Sequence, residues 1–162
     1  NDMYTYHPVV EILVKNFGTT PQSLEPLHEQ LLAYRENTEG LKEAMLKHKV
    51  TDESEFQQAL AAYYELEYRD NFNDVPVVRE FTEFIPIRYA KKNIFFPLKK
   101  TRNTLEVAIT NPELSQPLDD LARHFKCHIQ SVISHKQAVL DLINRAYDES
   151  SASTEDAVDP VS

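Results

Sequence analysis

The sequence predicts an α+β fold, with an N-terminal helical subdomain followed by a small α/β domain on a three- to four-stranded mixed sheet. Apolar residues recur at three- and four-residue spacing through the first 64 positions, the period of a helix face. Over residues 94–110 the pattern changes to alternation, the period of a half-buried strand. Helical and strand periods then succeed one another to residue 148, and from Glu149 the chain turns to Ser, Ala, Asp, Glu and Pro. This gives a helical subdomain over 1–64, an α/β domain over 65–148, and an acidic tail over 149–162 that buries too little apolar surface to order itself and reads as a flexible linker.

In the first subdomain, Val10, Leu13, Val14 and Phe17 form a stripe that Gly18 ends. After a Thr19-Thr20-Pro21 turn, Leu24, Leu27 and Leu31 line a second helix, with Pro26 placed in its first turn, where no backbone hydrogen bond is lost. Asn37-Thr38 caps a third helix with Leu41, Ala44, Met45 and His48 on one face. Asp52 and Glu55 form a capping box ahead of Phe56, Leu60, Tyr63 and Tyr64. An offset of 32 residues superposes Leu13 on Met45, Thr20 on Asp52 and Leu24 on Phe56, a loose repeat of helical hairpins.

In the second domain, Glu65–Asp70 reads as a short strand and Asn71–Pro76 as a loop. A helix pair spans Arg79–Lys92, interrupted at Pro86. Ile94, Phe96 and Leu98 alternate, as do Leu105, Val107 and Ile109, and the polar Lys99–Thr104 segment joins them as a hairpin. Ser115 caps a helix with Pro117 in its first turn and Leu118, Leu121, Ala122 and Phe125 as its stripe. Ile129, Ser131 and Ile133 suggest a further strand. Ser134 caps a last helix with Val139, Leu140, Ile143 and Tyr147 inward.

Several function classes are excluded or disfavoured by composition. Only two glycines occur, Gly18 and Gly40, so neither a Walker loop nor a dinucleotide fingerprint can be written. One cysteine, Cys127, allows no internal disulfide and fits a reducing compartment. No apolar run reaches membrane-spanning length, and no basic segment precedes an apolar core as in a signal peptide. A net charge of −9 argues against duplex nucleic acid as partner. The densest basic set is Arg88, Lys91, Lys92, Lys99, Lys100 and Arg102, read as a solvated face.

Candidate chemistry is thin. His124, Cys127 and His128 do not match the spacing of paired metal ligands. Cys127 has no activating partner in sequence, and no G-x-S-x-G elbow exists. The Asp119-Asp120 and Glu53/Glu55 pairs read as solvation or capping. Tyr63, Tyr64, Tyr68 and Phe72 read as packing rather than a base-stacking platform. No catalytic, cofactor-binding or metal-binding residue is assigned.

Three segments carry a resemblance. They are Phe84-Ile85-Pro86-Ile87-Arg88-Tyr89-Ala90 running into Ile94–Leu98; Leu105-Glu106-Val107-Ala108-Ile109-Thr110-Asn111-Pro112; and Leu118–Phe125 with Ile129–Ile133 and the closing helix to Tyr147. Together they resemble the N-terminal domain of the type II secretion system E protein and type IV pilus assembly ATPase family, over about residues 40–148. The resemblance implies a bacterial, non-catalytic cytoplasmic adaptor, held at the inner membrane indirectly by the cytoplasmic domain of the platform protein (the L protein). It implies a linker to the protein's own ATPase motor domain, and places ATP, Mg²⁺ and a tetracysteine zinc site in that motor alone. The docking surface is expected around Arg88, Tyr89, Lys91 and Lys92. A branch of the family binds cyclic di-GMP through tandem R-L-G-x-x-L-L-x-x-x-G segments. Here Glu39-Gly40-Leu41 and His7-Pro8-Val9 stand on R-L-G, Lys49 on the later Gly and Tyr63 on a terminal Gln, so arginine is lost and Glu39 would repel phosphate.

Overall fold

The computed structural model describes residues 5–158, which divide into two compact units between Tyr68 and Arg69.

The first unit is helical. Helix α1 (Pro8–Asn16) is capped by His7, whose Nδ1 accepts from Val9 N–H at 3.1 Å, and Gly18 follows it with φ +78°. Thr20 caps α2 (Pro21–Leu24), a 3₁₀ turn follows over Glu25–Leu27, and α3 runs His28–Ala33. The single helix expected here is thus broken in two. Pro26 has no N–H to continue the ladder, and the chain tightens around it. Helix α4 (Thr38–Lys47) is capped by Asn37 and α5 (Glu53–Tyr64) by Asp52, whose Oδ1 accepts from Glu55 N–H at 2.8 Å. Val9, Leu13, Leu24, Leu31, Leu41, Met45, Phe56 and Leu60 form one core. Two expectations fail on the helix faces: His48 and Tyr63 are exposed. His48 is the C-cap of α4, and Tyr63 lies off the face of α5 that Leu60 and Tyr64 pack against the core.

The 32-residue offset has a structural counterpart. Thr20 and Asp52 are both N-caps, Leu13 and Met45 are both fully buried, and so are Val9 and Leu41. Lys42 Nζ pairs with Glu53 Oε2 at 3.1 Å, tying α4 to α5.

The sheet has the order β1-β4-β3-β2. Strand β1 is Glu67–Tyr68, β2 Phe95–Lys100, β3 Thr104–Ile109 and β4 His128–Ile133. β2 and β3 form the expected antiparallel hairpin, and β3 pairs with β4 in parallel from Thr104↔His128 to Ile109↔Ile133, so the sheet is mixed. The helices of the second unit are α6 (Arg79–Phe84), α7 (Ile87–Asn93), α8 (Gln116–Phe125) and α9 (Lys136–Val158). Val107, Ala108 and Ile109 are all fully buried. Successive residues face opposite sides of a strand, so both faces of the sheet are covered there.

This double cover explains why the alternation expected in β2 is absent. Phe95, Phe96, Pro97 and Leu98 are all buried, and a bulge at Leu98 shifts the register between Pro97 and Lys99. Ile94 is not in the strand; it ends α7 in the left-handed region at φ 50°. The caps of two helices also differ from expectation. Ser115 makes no side-chain cap bond, its φ of −121° and ψ of −52° not being the extended geometry of a capping serine. At α9 the capping side chain is His135, whose Nδ1 faces Ala138 N–H at 3.4 Å. Ser134 is fully buried, and its N–H donates to the Ile109 carbonyl. Helix α9 continues to Val158, so the backbone of residues 149–158 is helical rather than irregular. An established helix needs no new nucleus to propagate, and Ala and Glu propagate it well. Residues 159–162 lie outside the described residues.

A candidate docking groove between two helices

The Ile85-Pro86 turn sets the geometry of the candidate site. A residue before proline is kept extended, and Ile85 is so, at φ −102° and ψ 116°. Pro86 is the N-cap of α7, at φ −63° and ψ 138°. The Tyr147 hydroxyl on α9 donates to the Ile85 carbonyl and pins the turn from behind. Burial pushes the Tyr147 phenol up to about 12.

In front of the turn lies a groove of about 530 Å³, lined chiefly by Pro86, Tyr89, Phe95, Pro117, Leu121 and His124. On α8 the lining follows helical spacing: Pro117, Asp120, Leu121 and His124 share one face. Aromatic rings build the wall. Phe84 and His124 stack with centroids 3.7 Å apart and planes 10° from parallel, and Tyr89 meets Phe95 edge to face at 5.7 Å.

Asp120 is the carboxylate of the groove, and it is satisfied three times over. Its Oδ1 accepts from Arg123 at 2.7 Å and from Gln116 at 3.0 Å, and its Oδ2 faces the Tyr89 hydroxyl at 3.4 Å. Partial burial, then the Asp120 charge and this hydrogen bond, raise the Tyr89 phenol above its ordinary value.

The structure assigns the four expected docking residues to different sides of α7. Tyr89 lines the groove. Arg88 and Lys92 stand four residues apart, on the helix face adjoining Tyr89. Lys91 lies on the far side with the exposed Ile87. Arg88, Lys91 and Lys92 are exposed, and none forms an ion pair among the described residues. Lys99, Lys100 and Arg102 sit at the β2–β3 end, more than about 10 Å along the strand, so the six cations are not one patch.

The remaining candidates disperse. His124 belongs to the groove wall, Cys127 is buried with Sγ 3.4 Å from the Phe125 carbonyl, and His128 is exposed on β4. Among the described residues no group of three or more His, Cys, Asp or Glu side chains could hold a metal ion. Tyr63 packs on His7 and Tyr64, Tyr68 bonds to Ser54, and Phe72 is buried in the second unit, so these rings form no common platform. Sequence reading missed Asp120 and His124. The Pro117–Asp120–Leu121–His124 spacing was visible, but nothing local indicates that this face looks onto Tyr89.

Comparison with known proteins agrees with this architecture. The model of the MshEN domain family matches residues 64–153, more than half of the chain. The chain belongs to the MshEN domain family. The match takes in the sheet, the groove and most of α9. The chain is also similar to the type IV pilus assembly ATPase PilB of Myxococcus xanthus (strain DK1622). Identity is 25% over 151 residues, which is 93% of this chain but only 26% of that protein's length. Among solved structures, MshE with cdg matches at TM-score 0.65 and 18% identity, covering 86% of this chain and 98% of that one. The N-terminal domain of XpsE matches at TM-score 0.59 and 17% identity, covering 85% and 92%. At these identities the two structures establish a shared fold. The MshEN domain here thus shares its fold with MshE with cdg and with the N-terminal domain of XpsE. No helix among the described residues is long and apolar enough to cross a membrane.

Proposed function

We propose that this MshEN domain is the non-catalytic adaptor region of a type II secretion or type IV pilus assembly ATPase, docking the motor from the cytoplasm onto an inner-membrane platform protein. The observation that carries the reading is the α7–α8 groove, an apolar wall beside exposed cations that form no ion pair among the described residues, on a domain of this family. In this reading ATP, Mg²⁺ and zinc belong to the motor domain, and the domain reaches the membrane only through its partner. Similarity to PilB over a quarter of its length supports the motor context.

A second reading is binding of cyclic di-GMP, which the fold shared with MshE with cdg favours. The residues weigh against it. Val9 and Leu41, on the pattern's glycine positions, have fully buried side chains. The His7 ring is engaged in capping α1 and packing on Tyr63, and Glu39 is an exposed carboxylate. Phosphate recognition at such sites calls for arginine.

Titration calorimetry against the cytoplasmic domain of the platform protein encoded beside this chain, with cyclic di-GMP as parallel titrant, separates the two. Protein binding without nucleotide binding is expected. Nucleotide binding alone would make the domain a sensor and remove the adaptor reading.

A further inference from the structure

We propose that the α7–α8 groove seats an apolar side chain of a partner-protein segment whose flanking residues are carboxylates. This deepens the docking reading and rests on it. The volume, about 530 Å³, falls among built ligand pockets of about 300–1,000 Å³. Its wall is mostly ring and aliphatic carbon from Pro86, Tyr89, Phe95, Pro117 and Leu121, so the matching group is apolar.

The flanking charge follows from what is already paired. Asp120, the groove's carboxylate, accepts from Arg123, Gln116 and Tyr89 and makes no call for a cation from outside. Arg88 and Lys92 are exposed on the adjoining face of α7 without an ion pair among the described residues. The surplus on this face of α7, beside the groove, is therefore positive. Exposed cations on one face steer an acidic partner to that place. Two rim cations beside an apolar wall are too few and too apolar a setting for a nucleic-acid phosphate track. A second copy of this chain would bring another −9 and is disfavoured as occupant.

The test uses the full chain, ¹⁵N-labelled, with the platform protein's cytoplasmic domain as probe. Three variants are compared: Arg88→Glu with Lys92→Glu; His124→Glu, an exposed position at the groove wall; and Lys99→Glu with Lys100→Glu, the same charge change as the first at the far hairpin. Melting temperatures close to wild type establish that each is folded. The expected result is shifts of the Tyr89, Asp120 and His124 resonances on binding. Affinity should drop at least tenfold in the first two variants and less than twofold in the third, and wild-type affinity should fall as salt is raised. Wild-type affinity in both groove variants overturns the groove assignment and leaves the docking reading standing. Failure of the wild type to bind removes the docking reading and the groove assignment with it. Groove resonances that move with chain concentration alone, or on deletion of residues 151–162, overturn the proposal by showing the occupant to be a second copy or the chain's own tail.

Discussion

The phenol of Tyr147 shows how a single group can make a turn pH-sensitive. Its hydroxyl donates to the Ile85 carbonyl, and burial raises its ionisation from the ordinary 10 to about 12. The folded state then holds a proton that the unfolded state has lost between these values. The contribution is whole below pH 10 and declines as pH rises towards 12. Tyr147→Phe is expected to cost about 1 kcal/mol at pH 8, the net worth of one hydrogen bond. The stability gap between the two proteins should narrow above pH 10, as read by urea unfolding at pH 8, 10 and 11. Gly40 is a second residue whose role is steric. A Cβ there would stand 2.4 Å from Cδ1 of Tyr34. Gly40→Ala gains about 1 kcal/mol of helix propensity but meets an overpacking cost of about 1–3 kcal/mol, so net destabilisation is expected. In the Tyr34→Ala background the same change should turn stabilising; an unchanged penalty in that double-mutant cycle would remove the steric explanation.

At the scale of elements, the scarcity of glycine leaves a mark on helix ends. With Gly18 the sole left-handed glycine, the corresponding positions after four helices fall to Lys49, Glu65, Ile94 and Lys126, with φ between 50° and 58°. Each non-glycine residue there costs about 1–2 kcal/mol. Glu65 also sets a carboxylate against the negative end of α5. Glu65→Gly is expected to stabilise the protein by about 1 kcal/mol, seen as a higher denaturant midpoint at constant slope. The opposite end of α5 behaves conversely. Asp52→Ala removes the acceptor for Glu55 N–H and should cost about 1 kcal/mol in the same assay.

At the scale of the whole molecule, the second unit presents exposed cations beside an apolar groove, and the docking reading depends on that pairing. Cyclic di-GMP is expected to leave the melting temperature unchanged in a thermal-shift assay. A dose-dependent rise would restore the sensor reading despite Val9 and Leu41 being buried.

Much of this architecture was legible in one dimension. The amphipathic stripes around Leu13, Met45 and Phe56, the Asp52 cap, the helix break at Pro86 and the β2–β3 hairpin all arise from interactions within a few residues, where periodicity and proline or capping chemistry suffice. The absence of any Walker loop follows from two glycines alone. Long-range packing decided the rest. The burial of all of Phe95–Leu98 depends on cover over both faces of the sheet, which erases the alternation that a strand's own sequence would show. His135 displaces Ser134 as the α9 cap because Ser134 is drawn into the core, its N–H bonded to Ile109. The groove exists only where Tyr89 meets Asp120 across 31 positions of sequence, and no local pattern encodes which face of α8 will stand opposite α7.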